Sequence, residues 1–324
     1  MPEAKRGRLK ILVTVGSVAL AAVLLYYSLR GIEWGRAWAI LRTANKSLVG
    51  VCFLLSSAAL ALRAYRWRIL LQAQGKVPFA TAFRATAVGY FGNNFLPARA
   101  GEVVRTMMIS SRSGLSKAFV LTTALGERMA DAIALVTISA LVLLILPPQP
   151  GWLATAARPF AILGFAGVAA IAVLPWLEPF MQRMLARLPL PENPRGALAH
   201  LIEHVVHGIR SFHDARRIAG FLGLTAVIWS MDAVGAVIIG RAVGVPLSLP
   251  VAFLLITGLG LGSALPSTPG YVGIYQFVAV SVLTPFGVGK TDAIAYILLL
   301  QANSYLVVTF WGLLGLWRQR VHFR

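Results

Sequence analysis

Cysteine is almost missing from this chain: of 324 residues only Cys52 carries a thiol, and it lies in an apolar run. A single cysteine excludes an intrachain disulfide and argues against a metal–thiolate cluster. Acidic residues are also few, with 11 Asp and Glu against 30 Lys and Arg. The sequence also lacks the G-x-S-x-G elbow, the P-loop and the dinucleotide-binding fingerprint. We therefore expect no catalytic residues of these kinds, no cofactor and no metal site.

Apolar residues dominate the composition. They make up 58% of the chain, and the mean hydropathy is +0.75. Several apolar runs reach about twenty residues, the length of a helix that crosses a bilayer. The net charge of +19 would suggest nucleic acid in a soluble protein, but the Lys and Arg residues lie between these runs. Cytoplasmic loops facing anionic lipid explain them better, so we predict an all-α polytopic membrane protein that binds no nucleic acid.

One stretch, residues 92–105, is unusually polar for such a chain. Its polar and charged members are Asn93, Asn94, Arg99, Glu102 and Arg105. Pro97 removes a backbone donor near its centre, while Gly92 and Gly101 loosen the helix on either side. Broken backbone at membrane depth is tolerated only where protein or a wet cavity satisfies its freed groups. The stretch therefore predicts an interrupted helical hairpin whose charges are used in function.

The same pattern occurs twice. Leu96-Pro97-x-x-x-Gly101-x-Val103 recurs 169 residues later as Leu265-Pro266-x-x-x-Gly270-x-Val272. Three further pairs repeat in the same order: Val77-Pro78 and Val245-Pro246, Ala82-Phe83 and Ala252-Phe253, and Gly114-Leu115-Ser116-Lys117 and Gly287-Val288-Gly289-Lys290. Ordered matches of this kind predict an internal duplication. We expect a single membrane domain over 1–324, with repeat one at about 48–146, a connector at 178–217 and repeat two at about 218–317.

The apolar runs predict about six full spans and two re-entrant hairpins. The spans cover about 9–29, 48–62, 117–146, 156–176, 218–243 and 294–317, and the hairpins cover 79–105 and 251–285. Basic residues place both termini and the connector in the cytoplasm. The second span then leads inward to the first hairpin, and the span 218–243 leads outward to the second. The duplication is therefore predicted to be inverted, as in many transporters.

A basic and aromatic cluster follows the second span. Its arginines are Arg63, Arg66 and Arg68. We expect them among the lipid headgroups, either as a stop-transfer anchor or as a site that gathers anionic headgroups.

Charges also interrupt the span 117–146. Its purely apolar part, fifteen residues at 132–146, reaches only about 22 Å, whereas the hydrocarbon core needs about 30 Å. Glu127, Arg128 and Asp131 are therefore expected inside the membrane, where they would meet Arg99 or Arg105.

Several chemical interpretations of the polar residues remain open. Glu102, Glu127, Asp131 and Asp232 could form structural ion pairs, handle substrate or protons, or take part in catalysis. The string His200-Leu201-Ile202-Glu203-His204 fits a motif of some zinc peptidases. No distant carboxylate ligand follows it in that segment, and it lies on the polar side of an amphipathic helix, so a solvated helix is favoured.

Three groups of residues carry a family resemblance: Asn94…Pro97…Gly101-Glu102…Arg105, Glu127-Arg128…Asp131, and Leu265-Pro266…Pro269-Gly270…Gly273. Together they resemble the lysylphosphatidylglycerol synthase transmembrane-region family over about residues 10–317. The family includes the flippase half of the bacterial multiple peptide resistance factors and stand-alone proteins associated with hopanoid biosynthesis. This sequence departs from it in Gln276, where glutamate is common, and in Tyr271, where glycine is common. It also ends at Arg324 without the aminoacyl-transfer domain, so lysyl-lipid synthesis is not expected.

The resemblance implies a lipid flippase with re-entrant hairpins, in the bacterial inner membrane, with a membrane lipid as substrate and a homodimer as the expected assembly. The expected substrate-binding residues are Asn93, Asn94, Arg99, Glu102, Arg105, Glu127, Arg128 and Asp131. Arg99 and Arg105 would hold the phosphate of an anionic headgroup. The expected hairpin-breaking residues are Pro97, Gly101, Pro266, Pro269 and Gly270. The alternative is a membrane enzyme or accessory protein acting on a polyprenyl or hopanoid lipid, with Glu102 or Asp131 as general base.

Overall fold

A computed structural model describes residues 21–96, 100–145, 215–264 and 269–320, together with Ala19 and a few single positions between 162 and 185. All regular structure in these residues is helical, which confirms the predicted all-α class for the described part of the chain. The long helices are α1 (Trp34–Thr43), α2 (Lys46–Leu71), α3 (Phe79–Phe95), α4 (Ala100–Ser113), α5 (Lys117–Ile145), α6 (Ala215–Ala242), α7 (Leu249–Ala264), α8 (Ile274–Leu283) and α9 (Lys290–Arg320). Short 3-10 turns cover Pro269–Tyr271 and Thr284–Phe286, and residues 21–29 are also helical.

In the described part of the chain, three helices are long and apolar enough to cross a membrane: Lys46–Leu71, Ala219–Ala242 and Lys290–Arg318. Helix α5 has 29 residues, but its middle carries the predicted charges. Large apolar side chains are exposed along the helices, with Leu54 at 68% and Leu306 at 60%. Such a surface suits a lipid environment and would be costly in water. The expected spans 9–29 and 156–176, and the connector with its histidines, lie mostly or wholly outside the described residues.

Helix α2 is longer than its apolar run. Asn45 caps its first turn by accepting hydrogen bonds from the backbone N–H groups of Ser47 and Leu48, at 3.0 and 3.2 Å. The helix then continues through the basic cluster to Leu71. The helix therefore runs nine residues past the predicted span 48–62, and buried partners elsewhere in the fold compensate Arg63 and Arg66.

Each half of the fold repeats the same order: a long helix, a short helix, a break, a second short helix and a long helix. The two leading helices, α2 and α6, pack antiparallel. The Asn45 N–H donates to the Ala242 carbonyl at 2.9 Å near one end, and Arg66 Nη1 lies 2.8 Å from Thr225 Oγ1 near the other. Opposite directions of equivalent helices are what an inverted repeat requires. The orientation of the two halves in a membrane stays a prediction.

Each hairpin also packs against a helix of the other repeat. Helix α3 packs against α9, where Gly312 adjoins Phe91. Helix α7 packs against α5, where Ser139 Oγ lies 2.7 Å from Thr257 Oγ1. Each hairpin therefore lies against the last helix of the other repeat.

The first hairpin is closed by glycine contacts. The helix is interrupted after Phe95, as predicted, and Leu96 is extended; Pro97 and Arg99 lie outside the described residues. Gly101 is itself helical, although we expected it to break the hairpin. A Cβ on Gly101 would lie 1.9 Å from the Gly89 carbonyl oxygen, so its missing side chain lets the two arms touch.

The second break is a strained turn. Pro269 begins the 3-10 turn, and Gly270 and Gly273 have φ of +75° and +90°. Tyr271 also has a positive φ, +61°, which is uncommon for a residue with a side chain. The Gly270 carbonyl accepts hydrogen bonds from Gln301 Nε2 at 2.6 Å and from the Tyr305 hydroxyl. Pro266 lies outside the described residues.

Candidate functional site

A buried guanidinium joins the two repeats. Arg66 donates to both oxygens of Asp131, at 2.7 and 2.8 Å, and to Glu127 Oε1 at 2.9 Å. Its side chain is fully buried, and the Phe221 ring centroid lies 4.8 Å from it. Arg66 therefore lies in the protein interior, not among lipid headgroups as expected. Bidentate pairing to carboxylates provides the compensation that a buried arginine needs.

Arg105 forms the second layer of this network. Its Nη1 donates to Glu127 Oε2 at 3.1 Å, as the prediction that Arg105 pairs with this group required. Its Nε lies 2.5 Å from Glu102 Oε2, an ion-pair contact whose angle is too poor for a hydrogen bond. The guanidinium also lies 4.4 Å from the centroid of the Trp67 ring. Arg105 is 1% exposed, so it pairs with Glu102 and Glu127 from within the protein interior.

Arg128 is more accessible. Its side chain is 27% exposed, and its Nη2 and Nε lie 3.0 and 3.1 Å from Glu102 Oε1. Asn93 Nδ2 donates to the same oxygen at 3.2 Å. The Tyr90 ring centroid lies 4.8 Å from the guanidinium. Glu102 is thus held by two arginines and an amide.

A further ion pair joins the two leading helices. Arg63 of α2 forms an ion pair with Asp232 of α6. The Arg63 guanidinium lies 5.6 Å from the Trp229 ring, and Trp229 Nε1 donates to Asp131 Oδ1 at 3.2 Å. These contacts link the pair to the Arg66 network through one indole ring.

The charges of the network balance. Its cations are Arg63, Arg66, Arg105 and Arg128, and its anions are Glu102, Glu127, Asp131 and Asp232. Every one of these eight groups has an opposite charge within ion-pair distance. Although the whole chain carries +19, this interior cluster has no net charge.

The network borders a cavity of about 480 Å³ between the two halves. The first repeat contributes Arg63, Tyr90, Asn93, Asn94, Glu102, Arg128 and Asp131 to its lining. The second repeat contributes Asp232, Tyr271, Tyr275, Gln301, Asn303 and Ser304. Apolar side chains such as Leu60, Leu135 and Ile256 complete it. A concave apolar space with a few polar groups is typical of a ligand site.

The predicted site residues divide into three groups. Asn93, Asn94, Glu102, Arg128 and Asp131 line the cavity. Arg105 and Glu127 lie behind it, and Arg99 lies outside the described residues. Of the expected headgroup-gathering residues, Arg63 lines the cavity, Arg66 is buried, and Arg68 donates to the Val77 carbonyl at 2.7 Å. Within the described residues no three His, Cys, Asp or Glu side chains are grouped to hold a metal ion.

Sequence reasoning missed the lining of the second repeat. Asp232 was predicted only as an intramembrane carboxylate. Asn303, Gln301 and Tyr275 were not predicted to line a site. A signal for Asp232 was available, because it stands 169 residues after Arg63, the offset of the Leu-Pro repeat.

Residues 14–312 match the family described as the lysylphosphatidylglycerol synthase TM region. The chain belongs to this family. The match covers almost the whole chain, so the predicted resemblance is confirmed.

Curated relatives share modest identity. Glycosyltransferase AglD from Haloferax volcanii is 26% identical over 85% of this chain, which spans only 48% of AglD. A UPF0104 membrane protein from Methanothermobacter thermautotrophicus is 25% identical over 81% of each chain. Another from Pyrococcus horikoshii is 24% identical over 94% of this chain and 95% of its own length. These relatives are archaeal, so they do not support the bacterial location over any other.

The structure gives a physical reason for a glutamine at position 276. Gln276 is buried at the start of α8, where its Oε1 accepts from the Gly273 N–H at 2.8 Å. Its Nε2 donates to Gln301 Oε1 at 2.9 Å. The amide thus uses both a donor and an acceptor, whereas a carboxylate offers only acceptors.

Proposed function

We propose that this member of the family moves a lipid headgroup across the membrane through the cavity between the two hairpins. The observation that carries the proposal is a cavity between the two hairpins, lined by members of an ion-pair network within apolar helices. Charges within a membrane are costly, by roughly 2.5–3.5 kcal/mol each on insertion scales, and mark substrate or ion pathways by default. A closed core would serve stability better with apolar side chains.

Arg128 is the group best placed to take the phosphate of the lipid. It is the most exposed of the network arginines, whereas Arg105, one of the two expected phosphate ligands, is buried beneath Glu102. When Arg128 turns to a phosphate, Glu102 keeps Arg105 and Asn93 as partners. An anionic headgroup can therefore enter without leaving a carboxylate unpaired, which would be the costliest outcome in a low-dielectric interior.

The membrane setting belongs to the same proposal. We place the chain in the cell membrane, as a bacterial inner-membrane protein with both termini and the connector cytoplasmic and with two re-entrant hairpins. A homodimer is the proposed assembly. The basic loops support the cytoplasmic termini, and the antiparallel packing of α2 and α6 supports the inverted hairpins. The bacterial inner membrane and the homodimer rest on the family resemblance alone.

The alternative is an enzyme or accessory protein acting on a polyprenyl or hopanoid lipid. The name of AglD favours it, since that relative is a glycosyltransferase. The geometry of the carboxylates favours transport, because Glu102 and Asp131 are each held by arginine and a further donor. A general base needs a lone pair directed at its substrate.

Purified protein in liposomes containing a fluorescent phospholipid tests the proposal. We expect the lipid to move between leaflets without forming a new product, and we expect Arg128→Gln to slow this movement at least about tenfold, the effect of 1.4 kcal/mol. Arg36→Gln is the matched control, because it removes an exposed arginine that pairs with Asp292 far from the cavity. Absence of lipid movement by the wild-type protein, or chemical conversion of the lipid, would overturn transport.

A further inference from the structure

The last helices of the two halves give the cavity different charge. Helix α5 contributes Arg128 and Asp131, whereas α9 contributes Gln301, Asn303 and Ser304. Asp232 of α6, which the second repeat also adds to the lining, is paired with Arg63. The repeated Lys117 and Lys290 align the last helices of the two halves. In that alignment Gln301 takes the place of Arg128, and Ser304 takes the place of Asp131. The α5 side of the cavity is therefore charged, and the α9 side is uncharged and offers hydrogen-bonding groups.

Asn303 has an unused hydrogen-bond acceptor on the uncharged side. Asn303 is 2% exposed. Its Nδ2 donates to Ser56 Oγ at 3.2 Å and lies 3.5 Å from Cys52 Sγ. Its Oδ1 is buried, and no donor among the described residues reaches it. A buried acceptor without a partner is destabilising unless a water or a ligand supplies a donor.

Two more polar atoms share this state. Asn93 Oδ1 and the Tyr90 hydroxyl are buried without a hydrogen-bond partner among the residues described, and both side chains line the cavity. Two carbonyl oxygens need donors, and a phenol can donate or accept. The complementary ligand surface carries several hydroxyl groups.

Tyrosine rings add a flat surface to the same side. Tyr271 and Tyr275 are stacked, with centroids 5.1 Å apart and an angle of 11° between the rings, and both line the cavity. Aromatic faces suit the C–H faces of polyols. An ammonium group would suit the acceptors as well, but the ion-pair network is already neutral and offers it no unpaired carboxylate.

We propose that the Asn303 side of the cavity binds an uncharged, hydroxyl-bearing part of the headgroup, a glycerol or a sugar, while Arg128 holds its phosphate. This inference rests on the proposed transport function. It predicts the orientation of the bound headgroup, with its phosphate toward Arg128 on α5 and its hydroxyls toward Asn303 on α9.

Lipids of equal charge test the inference. Acyl-labelled phosphatidylglycerol, phosphatidylinositol and phosphatidylpropanol each carry one phosphodiester charge, but only the first two carry headgroup hydroxyls. In liposomes the wild-type protein should move a hydroxylated lipid about threefold to tenfold faster than phosphatidylpropanol, the ratio expected for one net hydrogen bond. Faster movement of phosphatidylinositol than of phosphatidylglycerol would identify a sugar-like ring as the source, and the reverse would identify glycerol.

A variant then assigns the preference to Asn303. Asn303→Leu should bring the ratio of hydroxylated-lipid to phosphatidylpropanol movement down to about one, and Arg128→Gln should slow all three lipids. Ser139→Ala is the matched control, because it removes a buried hydrogen bond between α5 and α7 away from the cavity lining. Equal movement of all three lipids by the wild-type protein would overturn this inference and leave transport intact. A preference retained in Asn303→Leu would also overturn it. No movement of any lipid would instead overturn the proposed function.

Discussion

Arg63 forms an ion pair with Asp232, and the two residues are 169 positions apart. The Leu-Pro motifs of the two hairpins are separated by the same number of residues. The pair therefore joins equivalent positions of the two repeats. In an antiparallel pair of related helices such positions meet where the helices cross, near the local symmetry axis.

The first prediction concerns this pair. Arg63→Gln or Asp232→Asn should each lower thermal stability in detergent, because each leaves one charge without its partner. The loss should be smaller than the roughly 3–5 kcal/mol typical of a fully buried pair, since the side chains are 15% and 23% exposed.

A variant in which the two charges are exchanged tests whether stability depends on the ion pair itself or on which helix carries the arginine. Arg63→Asp combined with Asp232→Arg should recover much of the stability, because the positions are equivalent. The exposed pair Arg36 and Asp292 serves as control, and its neutralisation should have little effect. A double exchange less stable than either single change would argue against direct pairing.

The second prediction concerns Glu127, which bridges Arg66 and Arg105. Glu127→Gln should cost about 3–5 kcal/mol, because it leaves two buried arginines short of a carboxylate. Adding Arg105→Gln should restore part of this loss, since Arg66 keeps Asp131. A double-mutant cycle by thermal unfolding measures the coupling, and strictly additive losses would show that the two residues act independently.

The third prediction concerns the close approach within the first hairpin. Gly101→Ala should destabilise the protein by about 1–3 kcal/mol, as expected for overpacking, because the added Cβ would meet the Gly89 carbonyl oxygen. Gly50→Ala in α2 is the control, since no atom lies within 4 Å of its added Cβ. It should be neutral or slightly stabilising. Equal stability of the two variants would show that the arms are not in contact.

The fourth prediction concerns Gln276. Gln276→Glu should lower stability by about 1–3 kcal/mol, because Gln301 Oε1 loses its donor and meets a second acceptor. Gln301 cannot simply turn its amide around, since its Nε2 already donates to the Gly270 carbonyl. Gln276→Glu combined with Gln301→Lys supplies a donor and tests the interpretation by thermal unfolding. Recovery of stability would support a paired arrangement at these positions.

The helical class and the position of the first break followed from the sequence because they depend on local properties, hydropathy and the chemistry of proline. The presence of charges within α5 followed from the length of its apolar run. The burial of Arg66 did not follow, because its compensation lies in Glu127 and Asp131, 61 and 65 residues away. From hydropathy alone, an arginine after an apolar run indicates the end of a span.

The unused acceptor of Asn303 was also beyond sequence reasoning. Its state depends on which neighbours claim its amide nitrogen, and these are Ser56 and Cys52, about 250 residues earlier in the chain. The role of Gly101 was inferred incorrectly for a similar reason. Glycine is compatible both with a helix break and with helix contact, and only the opposing arm decides between them.

The separation between Arg66 and its partners has a consequence for biogenesis. The ribosome completes α2 before it has made Glu127, 61 residues later, and long before it reaches Thr225, 159 residues later. A nascent chain that ends after α2 but before Glu127 exposes Arg66 to the translocon and to lipid without a compensating carboxylate. Insertion of α2 in its final position must therefore wait for helices that do not yet exist, and nascent chains truncated before residue 127 should be cleared by quality-control proteases faster than chains that extend past residue 131.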